Sequence, residues 1–323
     1  MKSPSPLVDG PTTPYYFVGD TIMISRHAKV RLSKSACKMS TRHLSVVSNL
    51  PPTDDSSSLQ RPVIIDQDNH LLVINKPAGW HSVPNNQRSS EKSLMTFCKN
   101  QRWGGGSQKD FLSPLHRLDQ PCSGLQLYGK TSKAASRIQS KWKDVAKLYI
   151  CVLDGDVRRL THFSSPKNDA ADGSTWYEMG GYLHLPKHKQ TVVVHPLPTN
   201  PFATHVSICW KSLTSGSRRQ FTLVAVKTQH GQRHMIRVLL SQGCPLAGDL
   251  RYGASAPLPD QSVALHAYAL RLPSTLQLGS VEPGKIFRAD VPPSWADWFG
   301  IRPQSIADEL GDLETLLAFD KHS

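Results

Sequence analysis

The residues best placed to do chemistry lie in one run, His116-Arg117-Leu118-Asp119-Gln120-Pro121-Cys122-Ser123-Gly124-Leu125. A carboxylate directly after a basic pair is favoured in its ionised form by the neighbouring positive charge. Pro121 and Ser123-Gly124 mark a turn, and the apolar residues 125–128 read as a strand. A reactive group held on a loop and braced by a rigid strand suits catalysis. Taken alone, the run reads more readily as a surface ion pair with a turn-capping Asp, because structural ion pairs use the same residue types. Other candidates are weaker. His230 and His234 are four apart but lack a third ligand at metal spacing, so no metal is expected. Gly104-Gly105-Gly106 lacks the Lys-Ser/Thr that completes a phosphate loop.

The elements that must position this run can be read from apolar patterning. Residues 63–65 and 71–74 flank Asp66-Gln67-Asp68-Asn69 and read as a hairpin. Residues 148–153, 221–226 and 263–272 read as further strands. Residues 131–144 place Ala134, Ile138 and Trp142 on one helical face, with Thr131 or Ser132 as cap. A second helix is expected over 232–241, ended by Gly243, and an acidic amphipathic helix over 304–320. Strands and helices do not alternate regularly. The fold class expected is therefore α+β: a mixed, mainly antiparallel sheet with flanking helices and a central active-site cleft. Residues 158–200, rich in Gly, Pro, His and Asn, read as an insertion or a long excursion away from the core.

The chain has 323 residues, of which 38% are hydrophobic, enough for a sizeable core. No run of eighteen apolar residues is present, so no membrane-spanning helix is expected. Lys and Arg number 38 against 25 Asp and Glu, a formal charge of +13 that favours a polyanionic partner such as nucleic acid. The 6 cysteines are scattered without a CxxC pair, which suits a reduced intracellular protein. Residues 21–50 carry six basic side chains (Arg26, Lys29, Arg31, Lys34, Lys38, Arg42) and no acidic one. Residues 1–60 thus read as a basic, Ser/Pro-rich extension, either a presequence for a mitochondrion or plastid or a nonspecific RNA-binding tail of a cytoplasmic or nuclear protein. A catalytic domain over 61–299 and a C-terminal helix or tail over 300–323 complete the expected organisation.

The run around Asp119 resembles the HRLD motif of the RluA-type RNA pseudouridine synthases. Further blocks are similar in the same order. They are Asn75-Lys76-Pro77-Ala78-Gly79, Lys147-Leu148-Tyr149, the late block His230-Gly231-Gln232-Arg233-His234-Met235-Ile236-Arg237, Pro245-Leu246-Ala247-Gly248-Asp249 with Tyr252-Gly253, and Leu265-His266-Ala267. The likeness spans about residues 63–295. Cys122 stands where Thr is usual, and His230, Gln232 and Met235 replace Thr, Arg and Gln of the late block.

The resemblance implies conversion of uridine in ribosomal or transfer RNA to pseudouridine, by a monomer and with no cofactor, since the reaction is an isomerisation. It implies Asp119 as the essential carboxylate, Arg237 as its partner, and Tyr149 packing on the uracil with its hydroxyl placed to remove the C5 proton. Arg117, with His116 beside it, would fill the space left by a flipped base. His116, His234 and His266 read individually as packed or hydrogen-bonding residues. The competing expectation is an RNA-binding or RNA-folding protein on the same scaffold, with catalysis weak or lost. Retention of Asp119, Tyr149 and Arg237 together weighs against it.

Overall fold

The computed structural model describes residues 60–84, 92–103, 111–167, 175–186, 191–199, 203–214, 220–279 and 281–318. The readings made for residues 1–59, for Gly104-Gly105-Gly106 and for the end of the C-terminal helix fall outside these. Contacts divide the chain into Met1–Ser57 and Ser58–Ser323, and the second unit carries everything below.

The strands are β1 (Val63–Gln67), β2 (Leu71–Lys76), β3 (Ser113–Pro114), β4 (Ser123–Gly129), β5 (Ala146–Asp154), β6 (Ser165–Lys167), β7 (Trp176–His184), β8 (Val193–His195), β9 (His205–Ser212), β10 (Phe221–Thr228), β11 (Leu265–Arg271) and β12 (Ile286–Arg288). The helices are α1 (Leu94–Asn100), α2 (Ser132–Ser140), α3 (Met235–Leu240), α4 (Ser294–Phe299), α5 (Pro303–Leu310) and α6 (Leu313–Leu316). One sheet runs in the order β1-β2-β4-β11-β5-β10-β9-β7-β6, with β12 on β11, β3 on β4 and β8 on β7. Among the named strand pairs β4–β11 is parallel and the others are antiparallel, so the sheet is mixed and mainly antiparallel as expected.

The β1–β2 hairpin forms because Asp68 Oδ1 accepts from the amides of His70 (2.6 Å) and Leu71 (2.7 Å), an Asx turn that reverses the chain. Thr131 caps α2 by accepting from Ala134 N at 3.1 Å. The helix stops sooner than its pattern suggests, passing into a 3-10 turn over Trp142–Asp144. Helix α3 also starts later than expected, because His234 takes a left-handed conformation (φ 56°) immediately before it.

Two expectations need correction. The described residues of 158–200 do not leave the core: β6, β7 and β8 continue the same sheet, and Trp176 and Met179 of β7 are buried in its two face clusters. The acidic C-terminal helix is two short helices, broken at Gly311, whose φ of 66° a helix cannot continue through. Ile301, Ile306, Leu310, Leu316 and Leu317 pack in one cluster with Leu148 and Ile150 of β5, so the boundary expected at residue 299 falls inside a shared core.

The opposite face of β5 and β10 (Cys151, Leu153, Val224, Val226) packs against Met235, Ile236, Leu239 and Leu240 of α3. All six residues of α3 are buried, and one of them is Arg237. A helix that is apolar on every side but one position brings that charged position to wherever a partner can neutralise it.

Candidate active site

Asp119 sits in the turn leading into β4, closed by Cys122 N donating to Asp119 O at 3.1 Å. The turn's carbonyls are individually held. Gly79 N donates to Gln120 O (2.8 Å), Val263 N to Pro121 O (2.9 Å), and Gln126 Nε2 to His116 O (2.5 Å). Lys76, fully buried at the end of β2, reaches under the turn with Nζ 2.6 Å from Cys122 O and 3.3 Å from Gln120 O, and also meets Trp80 O (2.9 Å) and Pro77 O (3.1 Å). Burial lowers its ammonium to about 8, against the opposing pull of Cys122 and Asp119. One cation thus ties two loops and the start of β4 together.

At the other end of β4's first turn, Gly124 has φ 110°, and a Cβ there would lie 2.4 Å from Ala267 N and O. Only glycine lets β4 and β11 approach this closely in parallel. Ser123 Oγ reaches His266 Nδ1 at 2.8 Å, while His266 Nε2 donates to Ala289 O at 3.0 Å. Burial pushes that imidazole down to about 4, so it is neutral and accepts from Ser123.

The carboxylate of Asp119 meets Arg237 of α3, which donates from Nη1 to Oδ2 at 2.8 Å. Arg237 simultaneously forks onto Asp249, Nε to Oδ2 and Nη2 to Oδ1, both at 2.7 Å. Burial alone would lower the guanidinium's pKa, but the two carboxylates outweigh it and raise it, so it is always charged. The Arg237 guanidinium carbon also lies 5.3 Å from the centre of the Tyr252 ring. Tyr149 lies on β5 between Ala267 of β11 and Val226 of β10, near enough for the Asp119 charge to act on it. Burial, then the neighbouring acidic groups, push its phenol well up, so it carries its proton at neutral pH.

Asp119 and Arg237 are therefore brought into contact from a loop and a helix, with Tyr149 of β5 within electrostatic reach of Asp119. Arg117 projects from the pinned turn as an exposed side chain. His116 does not join it: its Nε2 accepts from Leu127 N at 3.1 Å, and its ring stacks on Trp142 at 4.9 Å. Burial, with the charge of Lys147, drops it to about 3, so the ring braces the turn from behind as a neutral acceptor. Sequence reasoning passed over Asp249, Tyr252 and the reach of Lys76, and read His234 as an ordinary packed imidazole. Asp249 and Tyr252 were visible within a matched block, but nothing in the order of residues says what a buried Asp faces. The Cys122 thiol, where Thr is usual, is buried and pushed well up by that burial, so it packs as a small apolar group.

The family model for RNA pseudouridylate synthase matches residues 70–242, more than half the chain. The chain belongs to the RNA pseudouridylate synthase family. Within this family it is 29% identical over 210 residues to a protein of Bacillus subtilis named uncharacterized RNA pseudouridine synthase YhcT, covering 63% of this chain and 61% of that one. It is 46% identical over 74 residues to the dual-specificity RNA pseudouridine synthase RluA of Haemophilus influenzae, covering 23% of this chain and 30% of that one. The chain thus spans about three fifths, or less, of the length of these curated relatives. Among solved structures, human RNA pseudouridylate synthase domain containing 1 matches with a TM-score of 0.51 at 18% identity, covering 74% of this chain and 86% of that one, a likeness of fold. The pseudouridylate synthase match contains Asp119, Tyr149 and Arg237, and it ends before Asp249 and Tyr252.

Proposed function

We propose that this protein converts uridines in ribosomal or transfer RNA to pseudouridine, with Asp119 as the essential carboxylate. The observation that carries this reading is the Asp119 carboxyl 2.8 Å from a buried Arg237, with Tyr149 within electrostatic reach of it. The reaction breaks the bond from ribose C1′ to uracil N1 and joins C1′ to C5 instead. N1 gains a proton and C5 loses one, so atoms balance without an oxidant. A carboxylate at C1′ serves this by covalent attack or by taking a sugar proton. Arg237 holds the carboxylate in place through a charge-assisted hydrogen bond.

The Tyr149 ring packs against the uracil. Its raised pKa favours this role over removal of the C5 proton, because a protonated phenol is no base until something takes its own proton. A stacked base must leave its stack before its C1′ and C5 can meet Asp119, and Arg117 is an exposed side chain of the same turn that fills the space it leaves. Exposed Arg233 and Arg251 lie near enough to act electrostatically on His234 beside Asp119, which supplies a cationic rim for the flanking phosphates. The acid-poor stretch 21–50 supports delivery to a mitochondrion or plastid. A diffuse cytosolic signal from a fluorescent fusion of residues 1–60 counts against that.

The test is chemical mapping of pseudouridine in RNA from cells with and without the gene, followed by complementation with Asp119→Asn. Sites should vanish on deletion, return with the wild-type protein, and stay absent with the variant while RNA binding persists. Return of the sites with Asp119→Asn removes Asp119 from its role.

A further inference from the structure

The late motif contributes a second side chain to Asp119. His234 Nε2 lies 3.6 Å from Asp119 Oδ2, the same oxygen that Arg237 binds. Its other nitrogen, Nδ1, is 2.9 Å from the Tyr252 hydroxyl. That hydroxyl oxygen accepts a hydrogen bond from Val192 N at 3.1 Å, so it is already an acceptor. Its own proton then goes to Nδ1, the acceptor within reach, which leaves the ring proton on Nε2. The opposite tautomer would point an Nε2 lone pair at a carboxylate and leave the Tyr252 proton without that partner. Burial, with Arg237, Arg233 and Arg251 adding to it against Asp119, brings the imidazole to about 4, so the ring is neutral and carries a single N–H. The backbone is consistent with a built arrangement: His234 holds φ 56°, a conformation non-glycine residues adopt sparingly and often at functional sites.

Resting on the pseudouridine synthase reading, we propose that His234 is a positioning residue for Asp119. In the Nε2–H tautomer set by Tyr252, it turns a second N–H toward Oδ2, at electrostatic range beside the Arg237 hydrogen bond, and leaves Oδ1 to face the ribose. At 3.6 Å the contact is electrostatic, too long for a hydrogen bond, and it has room to tighten once RNA fills the site. The same chain of contacts runs from Val192, just before β8, through Tyr252 and His234 to the carboxylate. The β7–β8 region therefore reaches Asp119's orientation through a hydroxyl and a ring, without touching substrate.

Two measurements test this. The first needs no RNA: long-range proton–nitrogen NMR of the ring nitrogens in the full chain. The expected result is a protonated Nε2 and a bare Nδ1, with Nε2 moving in Asp119→Asn and the tautomer mixing in Tyr252→Phe. A ring protonated on Nδ1, or an Nε2 signal indifferent to Asp119→Asn, overturns the proposal. The second uses a short RNA hairpin copied from a mapped site. His234→Leu should slow single-turnover conversion by up to about 10²-fold, the scale of a misplaced reacting group. RNA affinity should hold within about twofold, and His234→Gln, which keeps an N–H donor, should recover much of the rate. A weakened affinity at unchanged rate overturns the role. If the wild-type protein converts no uridine in that hairpin, the enzymatic reading fails while the NMR result still decides the tautomer.

Discussion

Arg237 joins two carboxylates of unequal exposure. The Asp249 side chain is 1% exposed and takes two of its hydrogen bonds, whereas Asp119 keeps 24% of its side chain open and takes one. One positive charge between two negative ones leaves the group with net negative charge, and the open carboxylate is where it can act. Asp249 thus neutralises the buried guanidinium so that Asp119 need not be fully consumed by it. Asp249→Ala should cost about 3–5 kcal/mol, because it strips a buried charge of its bidentate partner. It should also slow conversion by letting Arg237 swing onto Asp119 with both arms. Denaturant unfolding and single-turnover assays measure the two effects, and an Asp249→Ala protein as stable as wild type contradicts the pairing. Arg237→Lys should not rescue, since an ammonium cannot fork onto Asp249 while holding Asp119.

The turn before β4 is an element held by its carbonyls. Lys76 lies among four carbonyls, two of this turn (Gln120 and Cys122) and two of the loop that follows β2 (Pro77 and Trp80). Lys76→Met keeps the packing volume and removes every donor, so buried carbonyls lose their partner. The expected loss is about 1–3 kcal/mol, with slower conversion at little change in RNA affinity, read by thermal melting and by rate against binding. Gly124→Ala acts on the same element from the other side. Its Cβ would overlap Ala267 backbone atoms at 2.4 Å, so β4 and β11 must part. A positive φ adds strain, and the cost should exceed about 1 kcal/mol. A Gly124→Ala protein melting at the wild-type temperature contradicts the close parallel pairing. The structure also explains why residues 158–200 were misread: Gly180-Gly181 and the interspersed His and Tyr side chains blur alternation within β7, and the pairing partners of β7 in β9 lie over twenty residues on.

Across the whole molecule, acid sensitivity follows from buried imidazoles. His116 is lowered to about 3, and His234 and His266 to about 4, from the ordinary 6.5. Between these values and 6.5 the unfolded chain binds protons that the folded one refuses. Stability is therefore fully present above 6.5 and falls as pH drops from 6.5 toward 4. The slope is up to about 1.4 kcal/mol per pH unit for each imidazole, read from urea midpoints across that window. A midpoint independent of pH there contradicts neutral burial. The formal charge of +13 belongs to the same scale. With Arg233 and Arg251 each meeting a phosphate, replacing one with Ala should flatten the dependence of log affinity on log salt by about 0.7–0.9.

The order of residues is enough to show that a carboxylate follows a basic pair in a turn and leads into a strand, because that chemistry is written in adjacent residues. It also determined the capped helix at Thr131 and the β1–β2 hairpin, which depend on contacts a few residues apart. The tertiary structure decided what Asp119 sees. Its guanidinium comes from 118 positions away, and Lys76 reaches the Gln120 and Cys122 carbonyls across 44 and 46. Only packing of an apolar α3 onto β5 and β10 aims Arg237, since a buried charge goes where a partner can meet it. The same packing turned His234 from a ring of no evident use into a neighbour of the carboxylate. Local pattern names residue types, whereas the free energy of burying a charge selects which of them meet.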